Sequence, residues 1–170
     1  ARNIIKERYK NKIDTKRLVE IIDKSKKRKN FKVHNATKVF QALRIFVNKE
    51  ITELIKALIN SVKVLEKNGI LIFVSFHSLE DKIIKIFFKL LSEKKKISRY
   101  MPDYKSKINI LKVEKKKPLL PSTKEIQINN PSRSAKLRYA IKINEAVDFE
   151  KELYEKFNYL INIENLSEKL

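Results

Sequence analysis

The chain has 170 residues, 42% of them hydrophobic, so it can build one domain with a core and is not a disordered tail. Lys and Arg total 40 against 20 Asp and Glu, a formal charge of +20. This charge favours a polyanionic partner, usually nucleic acid, over the alternative of a lysine-rich solvated surface. The absence of cysteine excludes a disulfide framework and a thiolate zinc site, and no metal site is predicted. No apolar run could span a bilayer, so we expect a cytoplasmic protein without a membrane partner.

The first part of the chain has helical periodicity. Arg2 to Lys10 is a short basic helix candidate, and Asp14 or Thr15 can cap the next helix. The basic cluster 24–29 that follows either contacts phosphate or forms a solvated loop.

A longer helical pattern extends from about Asn35 to Leu65. It predicts one long helix or two helices joined near Asn48. Gly69, the only glycine, is predicted to end it as a left-handed residue.

The segment 69–81 is the centre of the predicted fold. The continuous apolar run from Ile70 to Phe76 is typical of a strand buried on both faces of a parallel sheet. Ser78, with Asp81 three residues later, predicts a capping box at the start of a new helix. Ligands of open α/β sheets lie at the carboxyl ends of strands, so the chemistry is expected near His77.

Shorter elements follow. An apolar stripe predicts a helix over 79–91, and the lysine-rich loop 92–107 either holds unstacked bases or is a surface loop. Residues 108–113 are strand-like, and Ser122 with Glu125 predicts a short helix that ends at Ile128. Alternation over 137–143 predicts a half-buried strand. An amphipathic helix is predicted from Asp148 to Ile161. The fold class is therefore α/β, with early strands and any glycine-rich phosphate loop missing.

Three segments resemble signature blocks of one family, in the right order. They are ATKVFQALRIFVNKE at 36–50, SFHSLEDKI at 75–83 and NPSRSAKLR at 130–138. The chain resembles the bacterial 16S ribosomal RNA (cytosine-N4) methyltransferases, which use S-adenosylmethionine. The resemblance covers roughly residues 2–142.

The resemblance implies a Rossmann-like methyltransferase domain interrupted by a helical, RNA-binding insert. Residues 1–31 would be the end of that insert, 35–143 the C-terminal part of the methyltransferase sheet, and 144–170 a helical tail. The family's glycine-rich loop for S-adenosylmethionine would lie upstream of Ala1, which has no initiator methionine before it. We therefore expect a C-terminal fragment, inactive in isolation, with no cofactor-binding residues of its own.

The resemblance also implies roles for residues that are present. Phe76 could stack on a flipped cytosine, and His77 could hold the base or accept a hydrogen bond from it, with Ser78 beside it. The alternative is that Phe76 belongs to the core and that His77 is a structural histidine bonded to Ser75 or Ser78.

Candidate RNA contacts are found in two of the segments. Arg44 and Asn48, one helical turn apart, could reach the site or brace the sheet. A phosphate clamp or, alternatively, a structural turn is expected from Arg133, Ser134, Lys136 and Arg138. Two functions stay open: part of an enzyme that methylates 16S rRNA of the small ribosomal subunit, and a non-catalytic basic RNA-binding or ribosome-associated module.

Overall fold

The structure is a computed structural model that describes residues 1–10, 12–25, 34–93, 109–145 and 149–169. Residues 26–29 of the basic cluster and 94–107 of the lysine-rich loop lie outside these ranges. The chain divides into two compact units, Ala1–Glu50 and Ile51–Leu170. The helices are α1 (Arg2–Arg8), α2 (Thr15–Ser25), α3 (Thr37–Asn48), α4 (Glu50–Val64), α5 (Ser78–Ser92), α6 (Thr123–Ile128) and α7 (Glu150–Asn165). The strands are β1 (Ile70–Ser75), β2 (Leu111–Lys112) and β3 (Lys136–Lys142).

The first unit is helical, as its periodicity predicts. Asp14 caps α2 because its carboxylate accepts a hydrogen bond from the backbone N–H of Arg17 at 2.7 Å. The guanidinium of Arg17 then joins α2 to α1 through a 2.6 Å ion pair with Glu7. Ile21 and Ile22 form the buried side of α2.

The long helical pattern consists of two helices, one of the two predicted alternatives. Lys49 separates α3 from α4 and has a φ of 52°, in the left-handed region. This conformation interrupts the helical hydrogen bonds, because a left-handed residue cannot continue a right-handed helix. The predicted junction near Asn48 is confirmed.

The prediction of a left-handed Gly69 is wrong. The left-handed residue after α4 is Asn68, with a φ of 69°. A Cβ atom on Gly69 would lie only 2.5 Å from Leu65 Cδ1 and 2.9 Å from the carbonyl oxygen of Glu66. Glycine is needed at position 69 because the chain packs closely between α4 and β1. Asn68 can adopt the left-handed conformation because asparagine tolerates it better than most residues.

The three strands form one sheet in the order β1-β3-β2. Both β1 and β2 are antiparallel to β3, so they run parallel to each other on its two sides. The prediction that β1 pairs in a parallel sheet and is buried on both faces is wrong for the described residues. Its alternate residues Ile70, Ile72 and Val74 are exposed, whereas Leu71 and Ser75 are buried.

Helix α5 covers one face of this sheet. Its Phe88 ring lies 5.9 Å from the ring of Phe73 on β1. Phe73 is directly opposite Arg138 of β3, so this covered face also carries Arg138 and, by alternation, Ala140 and Lys142. Those three are the buried positions of β3. The alternation over 137–143 therefore predicted the strand correctly, but its charged side faces inward.

The C-terminal helix α7 belongs to the second unit. Glu150 pairs with Lys63 at 2.7 Å near the end of α4, and Glu164 contacts its start, so the two helices run antiparallel. The buried carboxylate of Glu164 accepts hydrogen bonds from the backbone N–H groups of Ile51 and Thr52. These donors have no partner within α4, so a distant side chain caps the helix. Among the described helices, none is long and apolar enough to cross a membrane.

Candidate functional site

The carboxyl end of β1 leads directly into α5 through Phe76 and His77. Phe76 is 56% exposed, and its backbone N–H donates to Glu80 Oε2 at 3.0 Å. The N-cap of α5 is His77, and Ser78 is the first helical residue. The predicted Ser78–Asp81 capping box is therefore wrong: the box is formed by His77 and Glu80.

The imidazole of His77 makes its hydrogen bond through Nδ1. Nδ1 accepts a hydrogen bond from the backbone N–H of Glu80 at 3.3 Å, so a neutral ring carries its proton on Nε2. Nε2 lies 3.0 Å from Glu80 Oε1, but this contact lacks hydrogen-bond geometry, and the buried Nε2 has no hydrogen-bond partner. His77 thus has a structural role through Nδ1, while its buried Nε2 contacts Glu80 without a hydrogen bond. Its structural partner is Glu80, not Ser75 or Ser78.

Asp81, in the first turn of α5, binds two cations of β3. Its Oδ1 lies 2.7 Å from Arg138 Nε, and its Oδ2 lies 3.2 Å from Lys136 Nζ. Arg138 is only 8% exposed and also donates to the backbone carbonyl of Lys116 at 2.8 Å. Burial raises the pKa of Asp81, but the hydrogen bonds from Arg138 and Lys136 outweigh it and leave this pKa below its ordinary value.

The segment before β3 forms a 3₁₀ turn, Asn130–Ser134. Arg133 is exposed, and its guanidinium donates to the backbone carbonyl of Asn130 at 3.2 Å. Ser134 is exposed, whereas Ser132 is buried and its hydroxyl has no hydrogen-bond partner. The side chain of Arg133 therefore stabilises the turn to which it belongs.

Two of the three signature segments meet in the second unit. Ser75 pairs with Lys136 across the sheet, which places Phe76 and His77 next to the start of β3. Arg44 and Asn48 belong to the first unit, where both contact Glu50: Arg44 Nε at 2.7 Å and Asn48 Nδ2 at 3.4 Å.

Glu80 is a site residue that the sequence pattern does not predict. Serine caps helices more often than histidine, so the pattern favours Ser78 as the cap. A usable signal was present, since His77 and Glu80 have the same three-residue spacing as Ser78 and Asp81. The pairing of Asp81 with Arg138 carried no local signal, because 57 residues separate them.

Residues 1–143 match the MraW methylase family. The chain belongs to this family. Its relatives include proteins named ribosomal RNA small subunit methyltransferase H. The one from Rickettsia typhi is 47% identical over 148 residues, covering 84% of this chain and 48% of that protein. The one from Brachyspira hyodysenteriae is 43% identical over 146 residues, covering 84% of this chain and 45% of that protein.

The family predicted from the three segments is thus confirmed. The chain spans about half the length of the curated relatives that it matches. The activity, substrate and partners of the full-length protein are therefore proposals for this chain.

Proposed function

We propose that this chain is part of an S-adenosylmethionine-dependent enzyme that methylates the N4 amine of a cytosine in 16S rRNA of the small ribosomal subunit. The observation that supports this most is the family match over 1–143, with relatives named ribosomal RNA small subunit methyltransferases. Such a substrate would place the protein in the cytoplasm with the ribosomes.

We infer that the sheet is part of a Rossmann-like methyltransferase fold. The support is the order β1-β3-β2 with α5 linking two strands that run in the same direction. Strands that run in one direction need such a crossover. We also propose the domain boundaries that the resemblance implies. Residues 1–31 would be the end of an insert, 35–143 the methyltransferase part and 144–170 the tail.

The cytosine would be held at the carboxyl end of β1. Phe76 offers an exposed aromatic ring for a base extruded from its stack, and the Glu80 carboxylate fixes its backbone. His77 Nε2 is buried 3.0 Å from Glu80 Oε1 and makes no hydrogen bond, so by this proposal it would bond the pyrimidine edge once the entering base displaces that contact. The Ser78 hydroxyl is exposed beside it. Alignment of the amine with the methyl donor is the main protein contribution to such a transfer.

RNA phosphates would be bound by exposed basic and polar groups of each unit. Arg133, Ser134 and Lys136 are accessible at the turn and the start of β3. Arg138 is buried against Asp81, so within this proposal it positions Lys136 and the strand. Arg44 and Asn48 are exposed on α3 and would contact RNA from the first unit.

The described residues contain no glycine-rich loop that could hold the cofactor. The only glycine, Gly69, is occupied by packing against Leu65 and is not part of a phosphate-binding loop. We therefore assign S-adenosylmethionine to the part of the full-length protein outside this chain and derive no step through it.

The test is methyl transfer from labelled S-adenosylmethionine to undermethylated small ribosomal subunits by the full-length protein. His77→Asn keeps a good helix cap but removes Nε2, so we expect a rate loss of about 100-fold with an unchanged melting temperature. Phe76→Ala should lower the rate as well, whereas the exposed control Tyr159→Ala on α7 should not. A His77→Asn enzyme with full activity would return His77 to a purely structural role.

The +20 charge favours one second candidate, a non-catalytic RNA-binding module. Salt-sensitive binding to the small subunit without any methyl transfer by the full-length protein would support that module and reject the enzyme.

A further inference from the structure

A cleft lies between α5 and β2 in the second unit. Its volume is about 340 Å³, inside the range of about 300–1,000 Å³ that is typical of small-ligand sites. Two hydrogen bonds to backbone carbonyls fix its walls. The N–H of Ile110 donates to the carbonyl of Leu91 at 2.9 Å, and Arg138 donates to the carbonyl of Lys116 at 2.8 Å. The lining includes none of the residues proposed above to hold the cytosine, so the cleft is a separate site.

The lining of the cleft has an apolar floor and a cationic rim. The floor is made by four apolar side chains, of which the first two are buried: Phe88, Leu111, Val113 and Ile143. The rim carries four exposed lysines: Lys85, Lys89, Lys112 and Lys116. An apolar surface bordered by several cations suits a ligand that combines a flat apolar group with negative charge.

The described carboxylates neutralise the rim only weakly. Glu93 lies 3.8 Å from Lys89 and 3.6 Å from Lys116, so one carboxylate serves two cations. Lys112 lies 3.7 Å from Glu114, and the remaining rim lysine has no ion pair with any described residue. Exposed pairs at such distances contribute little, because water screens them. The rim therefore keeps a positive charge that an anion can use.

Asn109 borders the same cleft and has an unused acceptor. Its backbone carbonyl accepts a 2.7 Å hydrogen bond from Asn144 Nδ2, which fixes the residue in place. Its side-chain Oδ1 is buried and has no hydrogen-bond partner among the residues that the structure describes. A buried acceptor in this state is unfavourable until a donor reaches it. An exocyclic amine or a ring N–H of a nucleobase is such a donor.

An RNA strand matches this combination of floor, rim and acceptor. A nucleobase presents a flat apolar face and N–H donors, and phosphates lie on either side of it along the strand. A free phosphate would use the rim alone and leave the floor exposed to water. The formal charge of +20 favours a polyanion, and the curated relatives are named ribosomal RNA methyltransferases.

We propose, on the basis of the rRNA substrate proposed above, that the cleft binds a second nucleotide of the same RNA, outside the one that is methylated. Its base lies over the floor and its phosphates lie at the rim. At about 1.5 Å per residue, Lys85 and Lys89 are about 12 and 18 Å beyond His77 along the axis of α5. The RNA therefore reaches the cleft through a stretch that neighbours the target cytosine.

The experiment uses the full-length protein and a single-stranded RNA of about 12 nucleotides, within the usual size of such sites. The rim variant, Lys85→Gln with Lys89→Gln, removes two charges. We expect it to bind this RNA about tenfold more weakly, with a salt dependence shallower by about 1.4, since each phosphate contact on a single strand contributes about 0.7. In methyl transfer to undermethylated small subunits, KM should rise by a similar factor while kcat stays unchanged, because the rim does not touch the reacting base.

The matched control is Lys151→Gln with Lys156→Gln, which removes the same charge from two exposed lysines of α7. It should weaken RNA binding much less than the rim variant does. Equal weakening in both double variants, or no weakening in the rim variant, would overturn the proposal. So would an oligoglutamate of the same charge that binds as tightly as the RNA and loses the same affinity in the rim variant, since the cleft would then bind an acidic protein.

Asn109→Leu tests the position of the base. The substitution replaces an unpaired buried acceptor with an apolar group of similar shape, so the melting temperature should stay the same or rise. RNA binding should nevertheless weaken, by about fivefold, because the base loses its acceptor. Unchanged RNA binding by this variant would overturn the placement of a base in the cleft. A full-length protein that shows these losses of binding but transfers no methyl group would reject the proposed reaction only.

Discussion

The two faces of the sheet are made by the same strands but have opposite chemistry. The covered face buries two cations, Arg138 and Lys142, while the side chains of β1 and β3 on the other face are isoleucine, valine, leucine and tyrosine. The two cations are stable in the interior because groups at helix ends bind them. Asp81 in the first turn of α5 forms an ion pair with Arg138, and the carbonyl of Leu65, after α4, accepts a hydrogen bond from Lys142 at 2.6 Å. The comparison shows that alternation assigns side chains to two faces but does not decide which face is inside.

The largest expected effect contrasts neighbours on β1. Leu71→Ala on the covered face should lower the free energy of unfolding by about 3 kcal/mol, because it leaves a cavity under α5. Ile72→Ala on the exposed face should cost about 1 kcal/mol or less in the 170-residue chain. Urea unfolding followed by circular dichroism measures both. Equal losses would mean that the two faces are equally covered.

A smaller effect is expected from the ion pairs of the covered face. Asp81→Asn removes the partner of a buried guanidinium and should cost about 2 kcal/mol, less than a fully buried pair because Lys136 is partly open to water. The matched control is Glu53→Gln, which breaks an exposed 2.9 Å pair with Lys56 and should have a much smaller effect. If both variants unfold at the same urea concentration, Asp81 does not stabilise the covered face.

The smallest effect is the pH dependence of this contact. The pKa of Asp81 in the folded protein is lower than its ordinary value of 3.8, so its stabilisation is complete above that pH and is lost as the pH falls below it. The difference in unfolding free energy between wild type and Asp81→Asn should therefore shrink on acidification through this range. A difference that stays constant to low pH would show that Asp81 is not ionised in the contact.

Local patterns predicted most elements of this chain. The Asp14 cap, the junction near Asn48, the helix Thr123–Ile128 after Ser122 and the strand Lys136–Lys142 follow from spacing, because caps and periodicity act within a few residues. The α5 cap was misassigned to a neighbouring pair with the same spacing. The roles of Phe76, His77 and Ser78 stay a prediction.

The sequence by itself determined the family, because the three signature segments are recognised without a structure. It also determined the α/β class of the second unit. The tertiary structure decided what lies far apart along the chain: the antiparallel register of β1 and β3, the burial of Arg138 against Asp81, and the cap that Glu164 places on α4. The physical reason is range. Propensity and capping act over one or two turns, whereas a buried charge is stable only where folding brings its partner to it.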